Sequence, residues 1–252
     1  MGMIPGQGRR VLAVLAITIL MAAAPAGRPV RLKTLPPVAP GIAAFPRVVA
    51  TPGDAAAARI NRALALADRQ PGCGDHKGSW NRRVTATMRG PRYLSLFASD
   101  DWYCGGPYPG TNQVALVFDL MTGTPIDWKR ILPPALVERA APDPGGTEAD
   151  PVLITSRALW KIYAKAATLP TDKECAAVLA DPAGLGTRLM LWPDAEAAGL
   201  VVQQADFPHV VKACGPPITL AVPELRKLGV APAFIDAIEE ARRHGWYDKS
   251  AR

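Results

Sequence analysis

Three stretches between residues 83 and 120 alternate apolar with polar side chains, and glycines and prolines separate each from the next. In Arg83–Met88 the residues Val84, Ala86 and Met88 fall on one side. In Tyr93–Ser99 the residues are Leu94, Leu96 and Ala98, and in Gln113–Leu120 they are Val114, Leu116, Phe118 and Leu120. Successive side chains of a strand point to opposite faces, so a period of two gives each stretch one apolar face to bury. Gly90-Pro91 supplies the first corner, "DDWYCGGPYPG" from Asp100 to Gly110 the second, and "TGTP" from Thr122 to Pro125 the third. Strands joined by such short turns form an antiparallel meander, because a parallel pair needs a crossover of about a dozen residues or more.

Around this meander the pattern changes period. Asp54 is a candidate N-cap for a helix in which Ile60, Leu64 and Ala67 recur at helical spacing, with Pro71-Gly72 ending it. Residues 132–151 are rich in proline, carry Gly-Gly and have no apolar period, so they read as a loop, and the module over 48–252 reads either as one domain or as two packed lobes with this loop as the seam. "SRALWKIYAKAATL" then sets Leu159, Ile162, Tyr163 and Ala166 on one helical face, and "TDKECAAVLA" follows with Thr171 as a candidate cap. "RLMLW", "GLVVQQ", "HVVKAC" and "ITLAV" read as strands, and an amphipathic helix over Pro232–His244 closes the chain. This order argues for an α+β fold, a mainly antiparallel sheet with packed helices, and against a doubly wound parallel sheet.

The N-terminus reads as a secretory signal peptide over residues 1–26. Arg9 and Arg10 precede the apolar run "VLAVLAITILMAAA", small residues follow, and that run is short of the ~20 helical residues needed to span a bilayer. The expected mature chain has no integral membrane segment and begins with a proline-rich, extended lead-in over 27–47, before a module over 48–252. Loss of Arg9 and Arg10 lowers the formal net charge of +7 by two. The remaining basic excess favours anionic envelope polymers, whereas the absence of a dense Lys/Arg stripe argues against nucleic acid. In a periplasmic or secreted protein the four cysteines, Cys73, Cys104, Cys175 and Cys214, read as two disulfides. Three connectivities are open. Cys73 with Cys104 and Cys175 with Cys214 is favoured because each pair closes a modest loop within its own half of the chain.

Candidate chemistry is sparse. Cys73 with His76, and His209 with Cys214, have residue types that suit zinc, but disulfide formation accounts for the same cysteines, so no metal or other cofactor is expected. Asp100 and Asp101 are adjacent on a strand and therefore point to opposite faces, which reads as a strand end with solvated charges. G-x-S-x-G, S-x-x-K, H-E-x-x-H, a complete dinucleotide fingerprint and a phosphate-binding loop are all missing from the sequence. The aromatic residues Trp102, Tyr103 and Tyr108, in a Gly/Pro-rich loop, are the candidate ligand-binding residues, against the plainer reading that they pack over the end of the sheet.

"RYLSLFASDDWYCGGPYPGTNQVALVFDLMTGTPIDW" resembles the hallmark segment of the RsiV/PdaC-type extracellular domains, a bacterial family of unknown function. The matching positions are Tyr93–Leu96, Tyr103, Gly105, Gly106, Tyr108, Pro109, Phe118–Leu120, Thr122 and Gly123. "RINRAL" and "GLVVQQADFPHVVKACGPPITLAVPELRKL" extend the resemblance over about residues 45–230. It implies an α+β extracellular module, which in some members senses lysozyme and in others accompanies a peptidoglycan deacetylase. The sequence holds neither an anti-sigma segment nor a deacetylase metal motif, and Tyr108-Pro109-Gly110 replaces the usual His-Pro-Asn, so neither activity carries over. The expectation is a stand-alone, exported, non-enzymatic binding module of the cell envelope, with cell-wall glycan or an envelope protein as partner. The alternative is a hydrolase or inhibitor acting on polymers such as peptidoglycan, with Asp100 or Asp101 converging on His76 or His209.

Overall fold

The computed structural model describes residues 28–69, 73, 78–142, 147, 149–168, 173–180 and 187–249. The signal segment, His76, Pro71-Gly72 and Thr171 lie outside the described residues. Two short strands, β1 (Leu32–Lys33) and β2 (Arg47–Val48), pair in the lead-in, followed by α1 (Ala55–Ala67). The meander is β3 (Ser79–Arg89), β4 (Tyr93–Tyr103) and β5 (Gly110–Asp119), in the order β3-β4-β5. After α2 (Trp128–Ile131) come β6 (Arg139–Pro142), β7 (Val152–Thr155), α3 (Arg157–Ala167) and α4 (Lys173–Ala180). Then β8 (Arg188–Asp194), β9 (Gly199–Gln204), β10 (Ile218–Ala221), α5 (Val222–Lys227) and α6 (Pro232–His244) complete the chain. Strands β6 to β10 form a second, antiparallel sheet in the order β10-β9-β8-β7-β6. The fold is α+β, and among the described residues no helix is long and apolar enough to cross a membrane.

The alternation in β4 explains how the meander sits between two layers. Leu94, Leu96 and Ala98 face α1, packing with Ile60, Leu64, Leu116 and Phe118. Tyr93 and Phe97 face the other way, where Ala115 and Val117 join a core with Leu189, Leu191, Trp192 and Phe234. That core takes in residues from both sides of the proline-rich stretch. Helix α1 starts where Asp54 accepts a hydrogen bond from the Ala57 N–H at 2.9 Å, a side-chain cap for an otherwise orphan donor.

Both edges of the meander are covered, which removes unpaired strand edges from solvent. Along β3, Val30 and Ala43 of the lead-in donate to Arg89 O and Arg82 O, and the segment after α6 adds Arg89 N to Trp246 O and Asp248 N to Ala86 O. Along β5, Val117 O accepts from Ile126 N at 2.9 Å and Thr111 O from Lys212 Nζ at 2.5 Å. A bulge at Thr87 ties the two sheets, with its hydroxyl donating to Pro193 O at 2.9 Å and its carbonyl accepting from Ala195 N at 3.0 Å.

Several elements differ from the sequence expectation. All three meander strands extend further toward the second corner, so half of "DDWYCGGPYPG" is strand. Residues 139–142, expected as loop, form the edge strand β6, whose Arg-Ala-Ala-Pro composition has no apolar period. "HVVKAC", expected as strand, is a 3-10 turn over His209–Cys214. Pro208 precedes it and Pro216-Pro217 follow, so ladder donors are missing on either side. Helix α3 buries Leu159, Trp160, Tyr163 and Ala167, leaving Ala166 exposed and Ile162 half-buried. The disulfides are Cys73–Cys104 and Cys175–Cys214, and the described residues hold no free cysteine.

Candidate functional site

At the second corner the strand register sets Trp80 of β3 opposite Trp102 of β4, and Trp102 opposite Gly110 of β5. Glycine at the third position leaves room for the indole. A Cβ at Gly110 would lie 2.1 Å from the Trp102 ring. The two indoles stack, with centroids 5.7 Å apart and planes 16° from parallel. Extending the alternation of Val84 and Ala86 backwards reaches Trp80, so the strand period carries this second tryptophan, which lies outside the Gly/Pro-rich turn that holds Trp102, Tyr103 and Tyr108.

Behind the indoles lies a buried ion pair. Asp100 is 0% exposed and Arg82 6% exposed. Arg82 Nε donates to Asp100 Oδ1 at 2.7 Å, Arg82 Nη2 to Oδ2 at 3.1 Å, and Trp80 Nε1 to Oδ1 at 2.8 Å. The guanidinium lies over Phe45, 5.3 Å from the ring centroid. The expectation of a solvated strand end is therefore corrected for Asp100. It faces the α1 side in line with Ala98, and its three donors replace the water it has lost. Asp101 points the other way, half exposed, 3.5 Å from Arg83. The two carboxylates do not converge.

The Cys73–Cys104 bridge closes one end of this region. Gly78 permits the approach, because a Cβ there would meet Tyr103 O at 2.2 Å and Cys73 Sγ at 2.8 Å. The result is an open groove of about 500 Å³, lined by Cys73, Trp80, Trp102, Cys104, Thr111 and Asn112. A neighbouring concavity of about 510 Å³ shares Thr111 and is lined further by Gln113, Gln203 and Lys212. Burial pushes the Lys212 ammonium below its ordinary pKa, and the Asp101 carboxylate opposes that shift. Tyr103 is 46% exposed and Tyr108, in the turn, 71% exposed.

Of the expected ligand-binding residues, Trp102 lines the groove, whereas Tyr103 and Tyr108 are exposed and are not among its lining residues. Chemically the groove presents indole surface with hydroxyl and amide groups at its rim, a set suited to binding. His76 lies outside the described residues, as does the side chain of His209. Among the described residues no cluster of three His, Cys, Asp or Glu side chains has a metal-binding arrangement.

No protein-family model matches the chain, and no curated protein matches it. Among solved structures it is similar to a DUF3298 family protein from Pseudomonas aeruginosa, with 13% identity, a TM-score of 0.41, and coverage of 74% of this chain and 83% of that one. It is also similar to a DUF3298 family member from Bacteroides fragilis, with 11% identity, a TM-score of 0.42, and coverage of 73% and 67%.

Proposed function

We propose that this protein is an exported, non-enzymatic binding module of the bacterial cell envelope, and that it contacts cell-wall glycan through the groove at Trp80 and Trp102. The observation that carries the reading is the indole pair. It is held from behind by a buried carboxylate, and it borders an open groove edged by Thr111 and Asn112. Aromatic faces offer sugar rings apolar area at low conformational cost, while the rim groups take up hydroxyls. Export is supported by the signal-like N-terminus, by two disulfides, and by the resemblance of residues 92–128 to an extracellular family. The basic excess adds a diffuse attraction to anionic wall polymers.

The hydrolase reading loses support from the geometry, since Asp100 has both oxygens engaged by buried donors and Asp101 lies on the other face beside Arg83. Sedimentation with purified, insoluble peptidoglycan tests the proposal. The wild-type chain is expected in the pellet, and Trp102→Ala with Tyr108→Ala is expected in the supernatant with its far-ultraviolet circular dichroism retained. Equal retention of both would remove the groove from the account. No sedimentation of the wild-type chain, with capture of an envelope protein from an envelope extract instead, would replace glycan as the partner.

A further inference from the structure

The concavity of about 510 Å³ meets the indole groove at Thr111, which lines both. Register sets Asn112 opposite Asp100 and Thr111 opposite Asp101, so the two hollows lie on the two faces of β5, the last strand of its sheet. The far wall of the concavity is the 3-10 turn His209–Cys214 with Gly215, Pro216 and Pro217. That wall is held from behind by the Cys175–Cys214 bridge and by the Tyr163 hydroxyl, which donates to Pro216 O at 3.0 Å. It is fixed without a ligand, which spares a ligand the cost of ordering it.

Hydrogen-bonding capacity in this concavity is left unused. Gln203 is 5% exposed, and its Nε2 donates to Gln113 Oε1 at 2.5 Å and to Gly215 O at 3.3 Å, both on residues of the lining. Its Oε1 is buried and accepts from nothing among the described residues. Such an orphan acceptor is costly, and a ligand N–H or O–H would answer it. Lys212 gives one of its three ammonium protons to Thr111 O at 2.5 Å, and the lining holds no carboxylate. Beside them Ala213, Pro216 and Pro217 expose apolar surface. A carboxylate would satisfy Lys212 and leave the Gln203 oxygen without a donor. A secondary amide with a small alkyl group satisfies all three, its N–H the glutamine, its carbonyl the lysine and its alkyl group the prolines.

We infer that this concavity is an acetamido subsite, so that the glycan recognised is one with N-acetylated sugars. One ring lies on the indoles, and the next crosses the edge of β5 at Thr111 and directs its acetamido group between Gln203 and Lys212. The inference rests on the glycan reading of the indole groove and adds the class of sugar. The test is calorimetric titration of the chain with three tetrasaccharides: β-1,4-linked N-acetylglucosamine, β-1,4-linked glucose, and galacturonate. The acetylated tetramer is expected to bind about tenfold more tightly than the glucose tetramer, which has a hydroxyl in place of each acetamido group. In saturation-transfer NMR on the wild-type chain, its acetyl methyl protons are expected to receive the strongest transfer. Lys212→Met is expected to bring the two affinities together. Equal binding of the two neutral tetramers to the wild-type chain would overturn the inference and leave the indole groove as a glycan site. An acetyl methyl without saturation would do the same. Tightest binding of galacturonate would overturn it in favour of an anion at Lys212. Binding of none of the three would remove both the inference and the glycan reading.

Discussion

Removing a carboxylate from water costs several kcal/mol, and Asp100 offsets this with two donors from Arg82 and one from Trp80. Taking away one member leaves the others buried without a partner. Asp100→Ala is therefore expected to destabilise the protein by about 3–5 kcal/mol in urea unfolding, far more than a surface carboxylate would. At Gly110 the added methyl would meet the Trp102 ring. Gly110→Ala is expected to lose about 1–3 kcal/mol and to change the near-ultraviolet circular dichroism of the indole pair, with little change in far-ultraviolet signal. The sequence marks Asp100 as lying on the face opposite Asp101, by strand alternation alone. It does not mark burial, because that depends on Arg82 and Phe45 arriving from other elements to fill the space beside it.

At the scale of elements, the strands of the meander and α6 are legible because each carries its own period and its own turn or cap. What is not legible is decided by partners distant in the chain. Helix α3 shifts its buried face toward Trp160 and Ala167 because Trp160 donates to Leu179 O and packs edge-on against Phe207, neither of which its own period reveals. Strand β6 exists because β7 offers it an edge. Tyr163 on the same helix is fully buried, its hydroxyl donating to Pro216 O at 3.0 Å, and burial pushes its pKa up to about 12. The folded state thus holds the proton more tightly than the unfolded chain, whose phenol titrates near 10. Its stability contribution is complete below about pH 10 and is lost as pH rises toward about 12. Tyr163→Phe is expected to flatten that part of an alkaline unfolding profile. The Cys175–Cys214 bridge fastens α4 to the 3-10 turn after β9. Replacing both cysteines with alanine is expected to cost about 2–4 kcal/mol, and the denatured, unreduced wild-type chain is expected to show no free thiol on titration.

At the scale of the molecule, the three-stranded sheet is a spine with α1 on one face and the five-stranded sheet on the other, and its two ends carry different surfaces. One end presents stacked indoles beside a disulfide; the other presents a helix N-terminus, a phenol and arginines. Between them the strands are buried on both faces, so binding at the indole end meets a rigid support. The glycan reading rests on the indole end. Titration of isotope-labelled protein with soluble peptidoglycan fragments, read at the tryptophan indole N–H resonances, tests it most directly. The account predicts saturable shifts at Trp80 and Trp102 and at the amides of Thr111 and Asn112. Shifts confined to other parts of the molecule, or none at millimolar fragment, would contradict it.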